Sequence, residues 1–390
     1  MRRYDRTTVL LACTAGFFVT YFARMAISPV VPFIAEDFQV SNAAIGIALT
    51  GMWLAYGLAQ YPSGIIGDRF GERQVILVAV GGTTVAAVLL TLTPLFALFS
   101  IVVIILGAMA GLHYSPATNL ISRTHDNIGW AVGIHQLGPP VAGLLAPVIA
   151  TWVGVRYGWR PAIATVVLVG LPTALFVLWG VRRSAPQRPD ERVMERLRVG
   201  AGKTVLVRPA IVFTIVIAML GTFVIQALLT FLPMFLVEYR AYTATVGGVG
   251  FSAFFVVRAI VQPVIGRLSD TYGRDLGVGL ALCCGALGIF GLVFATSIVG
   301  VAIAIGLAGS GMAFFAVIDA RFIDALGDAE QGSGFGLVRT VYTVIGAAGP
   351  AGAGIFADAF GWHVSFIILG TMLALACLAI FLNRVCSLGY

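Results

Sequence analysis

The chain repeats itself. Gly64-Ile65-Ile66-Gly67-Asp68-Arg69-Phe70-Gly71-Glu72-Arg73 returns as Gly266-Arg267-Leu268-Ser269-Asp270-Thr271-Tyr272-Gly273-Arg274-Asp275, with Asp68 answered by Asp270, an offset of 202. The same offset pairs Gly46 with Gly248 and Gln60 with Gln262, and Gly158-Trp159 returns as Gly361-Trp362. A register kept this long predicts two copies of one fold, each burying its core in the same way. Every further expectation has to fit both copies.

Each copy of the Gly-Asp segment lies between long apolar runs. The chain has 390 residues, of which 59% are hydrophobic and 11% charged. Soluble domains carry about 25% charged residues, so most of this surface is built to face something other than water. An apolar run of about 20 residues crosses a bilayer as a helix. Twelve such runs can be marked, at 8–32, 42–66, 74–92, 95–120, 129–153, 160–181, 209–236, 244–267, 275–295, 298–323, 333–357 and 362–383. They are continuous, where barrel strands would alternate. The expectation is an all-α polytopic membrane protein. It consists of a six-helix bundle over residues 1–181, a linker over 182–208 and a second six-helix bundle over 209–390.

The net charge of +7 follows the loops. Arg2, Arg3 and Arg6 precede the first helix, and Arg182, Arg183, Arg188, Arg192, Arg196, Arg198, Lys203 and Arg208 fill the stretch between helices six and seven. Arg69, Arg73, Arg267, Arg274 and Arg384 share that side if the helices alternate, while Arg156, Arg160 and Arg240 lie opposite. Basic loops stay in the cytoplasm. Both termini and the linker are therefore expected there, in an inner-membrane protein, and the basic excess speaks for lipid headgroups and against nucleic acid. Within the linker, Asp190 to Arg198 could form a short amphipathic helix on the membrane surface. The basic-then-apolar N-terminus reads as a first membrane helix, its apolar run being too long for a signal peptide. Five cysteines without C-x-x-C spacing give no metal or redox centre, and no cofactor is expected. No phosphate-binding loop points to ATP use, and no nucleophile–base pair suggests an enzyme. The chain is expected to work as a monomer.

In the repeated segment Gly67 and Gly71 allow a tight turn between antiparallel helices, and Asp68 can meet helix N-termini or Arg73. The segment resembles the loop signature of the major facilitator superfamily, which falls between helices two and three and again between eight and nine. Gly64, Gly67, Asp68, Arg69, Gly71 and Arg73 match the first copy, and Gly266, Asp270, Gly273 and Arg274 the second, with Ser269 and Thr271 departing. The resemblance covers essentially the whole chain. It implies a secondary transporter working by alternating access, and a gating role for Asp68, Arg69, Arg73, Asp270 and Arg274.

Polar residues inside apolar helices point to the cargo, since each charge at mid-helix costs roughly 2.5–3.5 kcal/mol on insertion. Arg24 lies past the middle of helix one and Arg258 near the middle of helix eight. The repeat register pairs Arg24 with Gln226 and Arg258 with Tyr56, so the four positions are expected around one cavity. Two buried cations without neighbouring acids suggest an anionic small molecule, which a guanidinium binds bidentately. Tyr21, His113 and Gln136 join them as candidate substrate contacts.

The run Tyr21, Arg24, Pro29, Pro32, Glu36, Asp37 and Gly46 resembles the anion:cation symporter and organophosphate transporter branches. Organophosphate transporters carry a second Arg where this chain has Gln226. Helix five, Gly138-Pro139-Pro140-Val141-Ala142-Gly143, partly resembles the antiporter signature of drug exporters, whose helix-four Arg is missing here.

Coupling needs a group that changes protonation. His135 is one candidate, because histidine titrates near neutral pH. Asp319 is the acid clearly inside a helix, and with Arg339 it could form an inner-gate ion pair or a static bridge. Glycines and prolines in helices four, five, ten and eleven fit the sliding contacts and hinges of rocking bundles. The function expected is proton-coupled secondary transport of a small organic anion. A multidrug or amphiphile exporter and a transporter-like solute sensor are the alternatives.

Overall fold

The computed structural model of the protein describes residues 6–182, 186–187, 205–326 and 331–386. The amphipathic linker helix expected over Asp190 to Arg198 lies outside the described residues. Among those described, all regular structure is helical, and twelve segments are long and apolar enough to cross a membrane. They are α1 (Arg6–Phe38), α2 (Asn42–Phe70), α3 (Glu72–Thr91), α4 (Phe96–Thr124), α5 (Ile128–Tyr157), α6 (Trp159–Gly180), α7 (Pro209–Glu238), α8 (Ala244–Tyr272), α9 (Arg274–Phe294), α10 (Ile298–Ala325), α11 (Gly336–Phe360) and α12 (Trp362–Val385). Each matches one of the apolar runs.

Several of these segments are interrupted. α1 is helical to Met25, passes through a 3-10 turn at Ser28–Val30 and resumes over Val31–Phe38. α4 stops at Gly111 and restarts at Tyr114, and α10 does the same between Gly311 and Phe314. α5 breaks between His135 and Gly138, and α11 between Gly346 and Gly349. Proline is the cause in the last two. Pro139 and Pro140 cannot donate to the carbonyls of His135 and Gln136 four residues back, nor Pro350 to that of Gly346. The breaks in α4 and α5 recur at matching places in α10 and α11, but only the first two carry polar side chains, His113, His135 and Gln136.

By contact, one compact unit comprises residues 1–40 and 51–198, and a second comprises 41–50 and 199–390. Asp358 explains the assignment of residues 41–50. Its carboxylate accepts the main-chain N–H groups of Asn42 at 3.2 Å and Ala43 at 2.7 Å. Those donors open a helix and have no partner within it.

The duplication is visible inside each unit. Gly71 and Gly273, at φ 94° and 101°, make the turns that begin α3 and α9, in a region that side-chain-bearing residues avoid. A Cβ at Gly107 would overlap the main-chain carbonyl of Met52, and one at Gly309 that of Phe254, so α4 on α2 and α10 on α8 pack backbone to backbone. The Trp159 indole donates to Asp37 at 3.1 Å in the first unit, and the Trp362 indole to Glu238 at 2.5 Å in the second. Sequence matches at Gly-Trp thus mark a repeated clasp between the first and last helices of each half.

Candidate substrate-binding site

Arg24 sits on the last turn of the long piece of α1, where only 2% of it is exposed. Its Nε donates to the Thr20 carbonyl at 3.1 Å. Three aromatic rings enclose the guanidinium: Tyr56 at 3.8 Å from its centroid, Tyr21 at 5.0 Å and Trp53 at 5.1 Å. Ring faces stabilise a cation without neutralising it. Tyr21 comes from the preceding turn of α1, while Trp53 and Tyr56 are spaced three apart on α2 and so share a face. Two donors in this cage, Arg24 Nη2 and Trp53 Nε1, are buried without a hydrogen-bond partner among the described residues. The site offers positive charge and N–H groups and is lined by apolar ring surface. It can take an acceptor with negative charge.

Two and three turns back along α1, at the breaks in α4 and α5, lies a second cluster. Phe17 stacks on His135 at 4.9 Å and on His113 at 5.8 Å, and the two imidazoles are 5.7 Å apart. Both histidines are fully buried. His113 bonds through Nε2 to the Cys13 carbonyl at 3.0 Å. Its Nδ1 and both ring nitrogens of His135 complete no hydrogen bond. Tyr114 lies 6.1 Å from His135, and its hydroxyl accepts from Gln136 Nε2 at 3.0 Å. Gly16 leaves the space that the His113 ring fills, since a Cβ there would come within 2.5 Å of it.

The Gly-Asp loops carry charge networks of opposite sense. Glu72, fully buried at the start of α3, pairs with Arg123 at 2.5 Å and accepts from Gln187 Nε2 at 2.9 Å. Arg274, opening α9, pairs with Asp324 at 2.7 Å and with Asp270. Arg73 donates to the Leu178 carbonyl at 2.5 Å, and the Asp68 carbonyl accepts from Gln187 N at 2.8 Å. Beside them in the second unit, Arg321 pairs with Asp275 and donates to Thr214 Oγ1 at 3.1 Å, while Asn383 donates to Asp275 at 2.9 Å.

A family profile described as the Major Facilitator Superfamily matches residues 13–253 and 236–385. The chain belongs to that superfamily. This facilitator is 22% identical to a hexuronate transporter of Bacillus subtilis, over 96% of its own length and 94% of the relative's. It is 27% identical to the class C tetracycline resistance protein of Escherichia coli, over 90% and 91% of the two chains. Its fold is also that of a bacterial homologue of the human lysosomal transporter Spinster, with a TM-score of 0.83 and 17% identity over 98% and 97% of the two chains. It is a membrane transporter of a small solute.

Of the residues singled out for substrate contact, this facilitator brings Arg24, Tyr21 and Tyr56 into one cage, and His113 and Gln136 into the cluster behind it. Gln226, in α7, is 6% exposed and its Oε1 has no partner among the described residues. Arg258, in α8, is half-buried and donates to Gln262 at 3.2 Å. Asp319 accepts from the Tyr342 hydroxyl at 2.8 Å and feels the charge of Arg339. Arg69 lies beside the Phe70 ring at 5.2 Å. Reading the sequence missed Trp53, whose only signal is its spacing from Tyr56. It also missed the Glu72–Arg123 pair, which the repeat hides because its charges are reversed in the second half.

Proposed function

We propose that this transporter moves a small organic anion by alternating access, coupled to protons, and that Arg24 with Trp53 holds the anionic group. The observation that carries the reading is the pair of orphaned donors, Arg24 Nη2 and Trp53 Nε1, in one buried aromatic cage. A carboxylate has two oxygens to accept from them, and a hydrogen bond to a charged group contributes about 1.5–3 kcal/mol. The relative named for hexuronates takes a sugar acid, which fits this chemistry. The relative named for tetracycline resistance favours a second reading, amphiphile export. A thermal-shift screen of the purified protein against glucuronate, glucose 6-phosphate, an alkylsulfonate and a lipophilic cation separates them. A ligand at about 100 times its Kd stabilises by about 2.7 kcal/mol. Stabilisation by the anions alone is expected; stabilisation by the cation alone would reject the anion.

Residues 1–181 and 209–390 are taken as the two rocking bundles, with 182–208 joining them in the cytoplasm. In a cysteine-free background, Val207→Cys should react only with reagents that reach the cytoplasm, and Thr296→Cys only from outside. Labelling of position 207 in intact cells by an impermeant maleimide would reverse the orientation.

The Gly-Asp loops are read as gates acting on conformation. Asp68→Asn should therefore slow turnover at least tenfold (~1.4 kcal/mol) while leaving glucuronate affinity about threefold or less from wild type. A folded Asp68→Asn protein that no longer bound the anion would place this residue in the binding site and not in the gate.

A further inference from the structure

Coupling requires a group that binds and releases a proton. We infer that the His113–His135 pair, at the breaks of α4 and α5, is that group, and that it is charged in concert with the anion held at Arg24. The inference rests on the anion reading of Arg24.

The pair is sealed but not satisfied. His113 and His135 are 0% exposed, yet three of their four ring nitrogens complete no hydrogen bond, while the Cys13 carbonyl takes the fourth. A neutral imidazole kept for packing alone would bury its polar atoms at a cost, and such atoms are normally bonded. The rings lie 5.7 Å apart, so a proton on one disfavours a proton on the other and the pair takes one proton at most. Phe17 stacks against both, and Tyr114 lies beside His135.

Among the described residues, titratable or charged groups flank the pair on α1 and α4, with Tyr56 on α2 and Arg73 on α3 further off. α1 presents Cys13 and, further along the same stripe, Tyr21 and Arg24; α4 presents Tyr114. α3 and α6 bring Ile76, Val80 and Val177 to the surrounding core. Along α1, Arg24 is the fixed charge on the Phe17 stripe toward the cage, and it is positive; Arg73, seven residues from Val80 on α3 and bonded to the Leu178 carbonyl, is a second buried cation. Phe17 and Arg24 are seven residues apart on one helix, which is about 10 Å along its axis.

This placement gives the coupling its sign. Without cargo, the Arg24 guanidinium repels a proton on the histidines. An anion on Arg24 cancels that repulsion, and at ~10 Å with an effective dielectric near 20 the change is worth roughly ten- to twentyfold in proton affinity. Linkage makes the effect mutual, so a proton on the pair tightens anion binding by the same factor. The proton step is simple. A hydronium ion gives up one O–H bond as a histidine ring nitrogen forms an N–H bond, and the reverse transfer to water follows on the other side. No electron moves.

The test uses the full-length protein in proteoliposomes with radiolabelled glucuronate as probe, in two assays. Counterflow exchange needs binding and rocking but no driving force; uphill accumulation under an inside-alkaline gradient also needs the proton. Wild type should do both, with apparent affinity weakening as pH rises. H135Q should keep counterflow to within about threefold, lose accumulation by about tenfold or more, and bind glucuronate independently of pH. H113Q, checked by size-exclusion like H135Q, supplies a second variant and should likewise lose accumulation. H135Q that accumulates glucuronate as wild type does overturns the inference, as does D319N losing accumulation while H135Q retains it. Loss of both assays in folded H135Q and H113Q would make the pair part of binding or packing and overturns it too. Wild type that moves glucuronate in neither assay is a different result: it rejects the anion reading, and this inference with it.

Discussion

Arg24→Ala should bind glucuronate roughly 10–150-fold more weakly than wild type, as a lost charge-assisted contact of about 1.5–3 kcal/mol requires. Isothermal titration of the purified protein measures it. Arg24→Lys keeps the charge but not the planar fork, so it should recover only part of the loss. Trp53→Phe keeps the ring face and removes a single neutral N–H donor, which should cost about 0.5–1.5 kcal/mol. The order Arg24→Ala, Arg24→Lys, Trp53→Phe, from worst to mildest, is specific to an anion held by both donors. Lipophilic cations should bind these variants as well as wild type or better. An Arg24→Ala protein that folds and keeps its full affinity for anions would remove the basis of the proposed function.

The largest loss of stability is expected away from the cargo. Arg321, buried in α10, rests on Asp275 and Thr214, and Asp275 in turn receives Asn383 from α12. Asp275→Ala removes the carboxylate that pairs with this buried guanidinium, and breaking a buried pair typically costs about 3–5 kcal/mol. Thermal unfolding followed by size-exclusion should show it as a marked fall in melting temperature. Replacing both partners, Asp275→Ala with Arg321→Met, should recover most of that fall, because the charge itself is gone. Asp270 is a useful contrast. It pairs with the same loop's Arg274, but it is well exposed, so Asp270→Asn should change stability by no more than about 1 kcal/mol. Equal effects of the two substitutions would contradict the burial argument.

How much of this is legible in the sequence depends on how local the signal is. The twelve helices are legible because a bilayer imposes length and apolarity on each run separately. The turn glycines and the Gly-Trp pairs are legible because duplication writes them twice, but the acids that the indoles reach are not. Arg24 stands out because a charge inside an apolar helix needs a reason, and Tyr56 followed from the repeat register. Trp53 did not, since an aromatic residue in a membrane helix is ordinary until a cation is placed under it. The helix breaks at His113 and His135 are half-legible. Pro139 and Pro140 announce the second, but nothing near Leu112 announces the first. The Glu72–Arg123 pair spans 51 positions, and only folding brings its members together.

The loop charges bear on how the molecule assembles. Glu72 and Arg274 each follow a turn glycine, and their partners Arg123 and Asp324 each occupy the penultimate residue of the facing segment, with the signs exchanged. In the first half the signs agree with the helix ends they occupy, an acid at the start of α3 and a base at the end of α4; in the second half they oppose them. Each half therefore carries its own address. α4 meets a complementary charge on α3, whereas α3 against α10, or α9 against α4, would set like charge on like. Inverting one ion pair thus makes the loop-facing helices complementary within a half and repulsive across halves, although the turns that carry them are copies.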